Sequence, residues 1–310
     1  MATPIASGPV VVLAGGTGGA KLARGMLDVA GPELVVIANT GDDVEMHGGH
    51  VSPDPDLVTF WLADRVDERG WGLRDDTFTV MDALRRLGED VWFNLGDEDL
   101  AVCLARARRL AAGATLTAVI DDLRLQLGVR AGVLPMSDDS VRTWVKVRGR
   151  WTPFQEFMIR DRAEGPIDDV AFRGAETAAP TAETLAAIAG ARAVIVGPSN
   201  PVISIGPILA LPGMREALRS CSGPVVAVSP LVGGRSLKGP TEAFLAWAGR
   251  ARSSDGIAAC YDGLLDGLVA DTRTDALPTL ETDVAMPDAE ARRRVAAETL
   301  DFALALGRAG

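Results

Sequence analysis

Val10-Val11-Val12-Leu13-Ala14-Gly15-Gly16-Thr17-Gly18-Gly19-Ala20-Lys21-Leu22 is the stretch whose reading decides the fold. Its first five residues are an unbroken apolar run, as expected of a strand buried on both faces, and helix formers resume after the break. Between them stand four glycines, Gly15, Gly16, Gly18 and Gly19. A turn without side chains lets backbone N–H groups point at an anion, with the helix N-terminus behind them. The simpler reading, in which glycine only supplies the positive φ of a tight βα connection, does not account for so many. The turn therefore reads as a phosphate seat in an α/β sheet.

The residues around this seat narrow the nucleotide. A P-loop ends in Gly-Lys-Ser/Thr, whereas here Ala20 separates Gly19 from Lys21 and Leu22 follows, so no hydroxyl is placed for magnesium and the ATPase reading loses. A dinucleotide fold carries an acidic residue at the end of its second strand to hold the ribose. The second apolar run, Leu34-Val35-Val36-Ile37-Ala38, ends instead in Asn39-Thr40-Gly41-Asp42-Asp43. A Gly/Pro/Asp-rich loop then brings Asp54 and Asp56, so that four carboxylates lie in two neighbouring turns. Hard oxygen ligands of this kind suit magnesium, which completes its shell with water and substrate phosphate. The same aspartates also suit turn and helix caps. His47 and His50, the only histidines, lack a third nitrogen or sulfur ligand for zinc.

Composition bounds the remaining possibilities. With 310 residues and 47% apolar content there is chain for a large core, as one α/β domain or two modest ones. No run approaches the roughly 18 apolar residues of a membrane span, and the start of the chain lacks the pattern of a secretion signal. Cys103, Cys221 and Cys260 are isolated, which suits a reducing cytoplasm. A net charge of −11 argues against a nucleic-acid surface. It leaves room for a phosphorylated small molecule if Lys21, Arg24 or a cation corrects the field locally.

Further along, helices are expected over Leu57 to Asp67, from Asp76-Thr77-Phe78 through Leu87, and from Asp288 to Leu306. Val91-Trp92-Phe93-Asn94-Leu95 reads as a strand, which would put Asp97 and Asp99 at the carboxyl edge of the sheet; helix capping is their plainer role. The pattern turns β-prone and alternating around Thr143 to Val147 and Trp151 to Phe157, so a mixed or antiparallel insertion is expected at about 130–175. The paired Asp138 and Asp139 behind Pro135-Met136-Ser137 read by spacing alone as a solvated turn. After the strand Ala193-Val194-Ile195-Val196, the turn Gly197-Pro198-Ser199-Asn200-Pro201 is rigid and offers neutral hydrogen bonds of the sort that read a base or sugar. Lys238, in a second glycine-rich turn, is a candidate further phosphate contact.

In this order, Gly15 to Lys21, Asn39 to Asp43, Ser52 to Asp56, Gly96-Asp97-Glu98-Asp99-Leu100-Ala101, Pro135 to Asp139 and Gly197 to Pro201 form a set. The sequence resembles the 2-phospho-L-lactate transferase family of coenzyme F420 biosynthesis over nearly its whole length. The resemblance implies a single Rossmann-like α/β domain and a cytoplasmic, dimeric enzyme. Its reaction would be transfer of a phospholactyl or enolpyruvyl-phosphate group from a guanosine-diphospho donor to the deazaflavin alcohol Fo, with release of GMP. By the same resemblance Gly15, Gly16, Thr17, Gly18, Lys21, Asn39, Thr40, Ser199 and Asn200 would hold the nucleotide, and Asp42 with Asp56 would hold magnesium. Asp97, Asp99, Met136, Ser137, Asp138 and Asp139 would line the Fo pocket, and Asp56 or Asp139 would orient or deprotonate the hydroxyl. Two departures bear on the acceptor: Leu57 replaces the family's usual threonine and Cys103 its usual histidine. The rival readings are a paralogue with another acceptor, a guanine-nucleotide sensor, and a nicotinamide-dependent oxidoreductase, which lacks its ribose acid at Asn39.

Overall fold

The computed structural model describes residues 8–236 and 239–307, which leaves Lys238 outside the described residues. Seven strands form one parallel sheet: β1 Val10–Ala14, β2 Leu34–Ala38, β3 Gly132–Pro135, β4 Ala193–Val196, β5 Val225–Val228, β6 Gly267–Ala270 and β7 Thr279–Glu281. Their spatial order is β7-β6-β5-β4-β1-β2-β3. The chain thus starts in the interior, runs outward through β2 and β3, and returns to the other side of β1 with β4. Two-sided burial is what the unbroken apolar runs of β1, β4 and β5 require, and all three are buried along their length.

Helices cover both faces. On one side α1 Gly16–Ala30, α2 Pro53–Leu62 and the C-terminal helix Ala289–Leu306 pack on Val10, Val12, Val36 and Val226. On the other, the helices of the second half cover Val11, Leu13, Ile37, Val194 and Ala227. The fold is α/β with a Rossmann-type order. No helix among the described residues is long and apolar enough to cross a membrane.

Two pieces elaborate this frame. Between β2 and β3 the chain makes a hairpin, Val44–Met46 with Gly49–Val51, then α2 and the helices Thr79–Arg86, Asp97–Ala111 and Leu116–Gln126. After β3 a three-stranded antiparallel sheet spans Arg142–Val147, Arg150–Pro153 and Ile167–Arg173, with a short helix Phe154–Ile159. β3 itself belongs to the main sheet, paired with β2.

Several local expectations need correction. Val91 to Leu95 is not a strand: Phe93 and Leu95 fill a satellite core with Val51, Met81, Leu100 and Cys103, and this burial replaces ladder pairing. Asp97 and Asp99 therefore open a helix of the segment between β2 and β3 and do not sit on the edge of the sheet. The helix expected over Leu57 to Asp67 starts at Pro53, whose fixed φ suits a first helical turn, and is over by Asp64, where φ is +53°. The β-prone reading of Trp151 to Phe157 holds only as far as Pro153, after which Phe154 starts a helix.

Candidate active site

Strand order reverses between β1 and β4, and in open α/β sheets a crevice forms at the carboxyl ends of such a pair. A cavity of about 840 Å³ opens there. The turn after β1 contributes Gly15, Gly16, Thr17, Gly18 and Lys21, and the turn after β4 contributes Pro198, Ser199 and Asn200. Gly16 has φ +62°, which only glycine adopts without strain. A Cβ on Gly18 would land on the Pro198 carbonyl oxygen, so the missing side chain is what lets α1 approach the second turn. The Gly15 N–H donates to Ser199 Oγ at 3.3 Å, tying the two turns together. The first-turn amides of α1, which have no partner within the helix, thus sit in the cavity wall. Lys21 lies in the same wall, its Nζ donating to the Met286 carbonyl at 3.1 Å.

An acid occupies part of this seat. The Gly16 N–H donates to Asp54 Oδ1 at 2.6 Å, and Asn39 Nδ2 donates to Asp54 Oδ2 at 2.9 Å. Asn39 is fully buried and its own Oδ1 accepts from the Gly41 N–H, so it orients Asp54 from beneath and does not itself line the cavity. Burial lifts the Asp54 carboxyl to about 6, against the pull of those two donors. Asp42 lines the cavity beside it, and burial first, then the neighbouring Asp54 charge, holds its carboxyl well above the usual carboxylate range. Its Oδ1 is buried with no hydrogen-bond partner, as is the Thr40 hydroxyl. Asp43 is satisfied within the protein, accepting from Ser52 Oγ at 2.8 Å and lying 3.0 Å from His50 Nε2.

Asp56 stands apart from this pair. Arg106, with only 1% of its surface exposed, grips both carboxylate oxygens of Asp56 and donates to the His50 carbonyl. Asp99 and Cys103 complete a cluster whose ligand atoms lie within 4.8 Å of one another. Burial, helped by the Asp56 charge, lifts Asp99 to about 7 and pushes the Cys103 thiol upward. The acid sharing the cavity wall with Asp42 is Asp54, whereas Asp56 is not among the lining residues.

The remaining candidate positions make hydrogen bonds or packing contacts within the fold. Asp97 accepts from the Thr79 and Val80 amides and the Thr77 hydroxyl, capping the helix Thr79–Arg86, and these donors lower its pKa. Asp138 caps the helix Leu116–Gln126 by accepting from Thr117 N at 2.7 Å and Oγ1 at 2.9 Å. Asp139 Oδ2 accepts from Ala179 N at 3.0 Å, Ser137 Oγ donates to the Ala179 carbonyl at 2.6 Å, and Met136 is fully buried. None of these, nor Asp99 or Thr40, lines the cavity. Lining residues that sequence reading missed include Trp71, Phe154, Gln155, Met158 and Ile159 from the two elaborations, and Val284 to Pro287 ahead of the C-terminal helix. For Trp71 a local signal existed, since it stands between Gly70 and Gly72. For the short helix there was none, because its apolar residues read as strand.

The family model described as 2-phospho-L-lactate transferase CofD matches residues 10–301. A phosphoenolpyruvate transferase of Streptomyces griseus is 41% identical over 308 residues, 92% of this chain and 96% of its own. A second, from Kitasatospora aureofaciens, is 38% identical over 89% of this chain and 93% of its own. A 2-phospho-L-lactate transferase of Methanococcoides burtonii is 38% identical over 87% of this chain and 88% of its own. In fold, the crystal structure of a UPF0052-family protein from Bacillus halodurans matches with a TM-score of 0.63 at 18% identity, covering 95% of this chain and 99% of that one. A transferase by this kinship, the chain belongs to the 2-phospho-L-lactate transferase family.

Proposed function

We propose that the protein transfers an enolpyruvyl-phosphate or 2-phospholactyl group from a guanosine-diphospho donor to the hydroxyl of the deazaflavin Fo. The observation that carries this reading is one cavity joining a helix start suited to phosphate with two buried carboxylates, Asp42 and Asp54. The acceptor hydroxyl oxygen attacks the donor's β-phosphorus in line, the bond to the GMP oxygen breaks, and GMP leaves with the electron pair. Such a displacement depends on positioning and charge neutralisation. The α1 amides and Lys21 receive donor phosphate oxygens, while Ser199 and Asn200 hold the nucleoside. The hydroxyl proton passes to a carboxylate within reach, a role for which the cavity wall offers Asp42 and Asp54, whereas Asp56 is engaged by Arg106 and Asp139 by Ala179.

A divalent cation fits the same wall, because the partnerless Oδ1 of Asp42 and the Asp54 carboxylate are hard oxygen donors beside the phosphate seat. Magnesium bound there would supply charge stabilisation at the transferring phosphate. In this proposal Asp54 takes the place beside Asp42 that the resemblance gave to Asp56. Association as a homodimer belongs to the same reading and is read by light scattering.

Incubation with Fo, magnesium and each guanosine donor in turn, followed by product mass and GMP release, tests the function. The expected result is a new phosphodiester of Fo with one donor and its loss on chelation. Tight GDP binding with no product from either donor would point to a nucleotide sensor instead.

A further inference from the structure

Trp71 is 44% exposed, yet it lines the cavity. A large apolar ring left in water at a concave surface marks a place where something else covers it. The chain around it is built to hold that ring still. Val66 and Leu73 form an antiparallel bridge and both are buried in the main core. Inside that bridge the Asp67 N–H donates to the Gly72 carbonyl at 3.0 Å and the Gly70 N–H to the Asp67 carbonyl at 2.8 Å, with Gly70 at φ +87° and Gly72 at φ +67°. Trp71 thus sits on the returning arm of a tight, rooted hairpin, just after its turn.

The indole is also backed. The Arg69 guanidinium lies 4.4 Å from the centre of the Trp71 ring and 5.4 Å from that of Phe78, and Asp67 holds it with a 2.5 Å ion pair. Cation and ring attract, which restrains the indole where it lines the cavity. Ile159, 42% exposed, is a second bare apolar side chain of the same cavity. The neutral hydrogen-bonding groups, Ser199, Asn200 and Ser229, come from the turns after β4 and β5.

We propose that Trp71 is the stacking platform for the flat heteroaromatic ring of the acceptor, with Arg69 as its positioning residue. Offset stacking on a preorganised indole is the contact such a ring makes best. The identity of the acceptor rests on the transferase reading above; the platform itself rests on the hairpin and the cavity.

Fo is titrated into the wild type and into Trp71→Leu, Trp71→Phe, Arg69→Gln and Arg69→Lys by calorimetry, and KM is measured separately for Fo and for donor. Trp71→Leu is expected to weaken Fo by about ten-fold or more, the scale of a lost ring stack, with donor KM unchanged and Trp71→Phe recovering most of the loss. Arg69→Gln is expected to weaken Fo by about three-fold through its effect on the ring, and Arg69→Lys to restore it. Equal Fo affinity in wild type and Trp71→Leu, or no Fo binding by the wild type, overturns the platform. Trp71-dependent Fo binding without product formation would leave the platform standing and remove the transferase reading.

Discussion

At the scale of single residues, the site is governed by where a carboxylate is placed relative to an amide or a guanidinium. Asp54 occupies the Gly16 amide, so it competes with any phosphate for that donor until a cation or a proton removes its charge. Asp54→Asn is expected to lower magnesium-dependent turnover by about a hundred-fold or more while tightening metal-free GDP binding, as measured by steady-state rates and calorimetry with chelator. Asp56 is a different case, since it is the counter-charge of buried Arg106. Arg106→Leu should cost about 3–5 kcal/mol in denaturant unfolding, the usual penalty for orphaning one member of a buried pair. Asp99 has a folded pKa of about 7, raised above its unfolded value. Such a group binds its proton more tightly when folded, so its contribution is fully present in acid and is lost as pH rises to about 7. Asp99→Asn is therefore expected to raise the melting temperature relative to wild type at pH 8, the gain shrinking below pH 7 and vanishing near the unfolded pKa.

At the scale of elements, α1 is used along its whole length. Its start faces the cavity and its middle lies so close to the C-terminal helix that a Cβ on Gly25 would meet the Arg292 carbonyl. Gly25→Ala should therefore destabilise the protein by about 1–3 kcal/mol, the range for overpacking, although alanine is the better helix former; thermal unfolding reads the sign. The same scale shows which elements were legible in sequence. β1, β2, β4 and β5 were, because a strand buried on both faces must be apolar throughout. The C-terminal helix was too, with Asp288 as its cap. Val91 to Leu95 was not, since β-branched and aromatic residues serve equally well as filler in a small satellite core.

At the scale of the molecule, a chain of net charge −11 that takes a phosphorylated donor, as proposed, would meet it mainly with backbone amides, because Lys21 is the one cationic side chain in the cavity wall among the described residues. Donor affinity should then respond weakly to salt, or improve, as the Debye length falls from about 30 Å at 0.01 M to about 10 Å at 0.1 M. A steep loss of affinity over that range, measured by calorimetry at fixed magnesium, would mean that side-chain cations dominate binding.

The amino-acid sequence by itself determined the α/β frame, the glycine-rich turn after β1 and the kinship to the transferase family, because glycine spacing and apolar periodicity are local properties that need no partner to be read. Only the tertiary structure decided which acids share a wall. Asp54 and Asp56 stand two residues apart in one helical turn, yet that turn carries one to the α1 amides and the other to Arg106 on the helix Asp97–Ala111. Position along a chain does not encode such a division, since it depends on what each face of the helix meets once the segment between β2 and β3 has folded against the sheet.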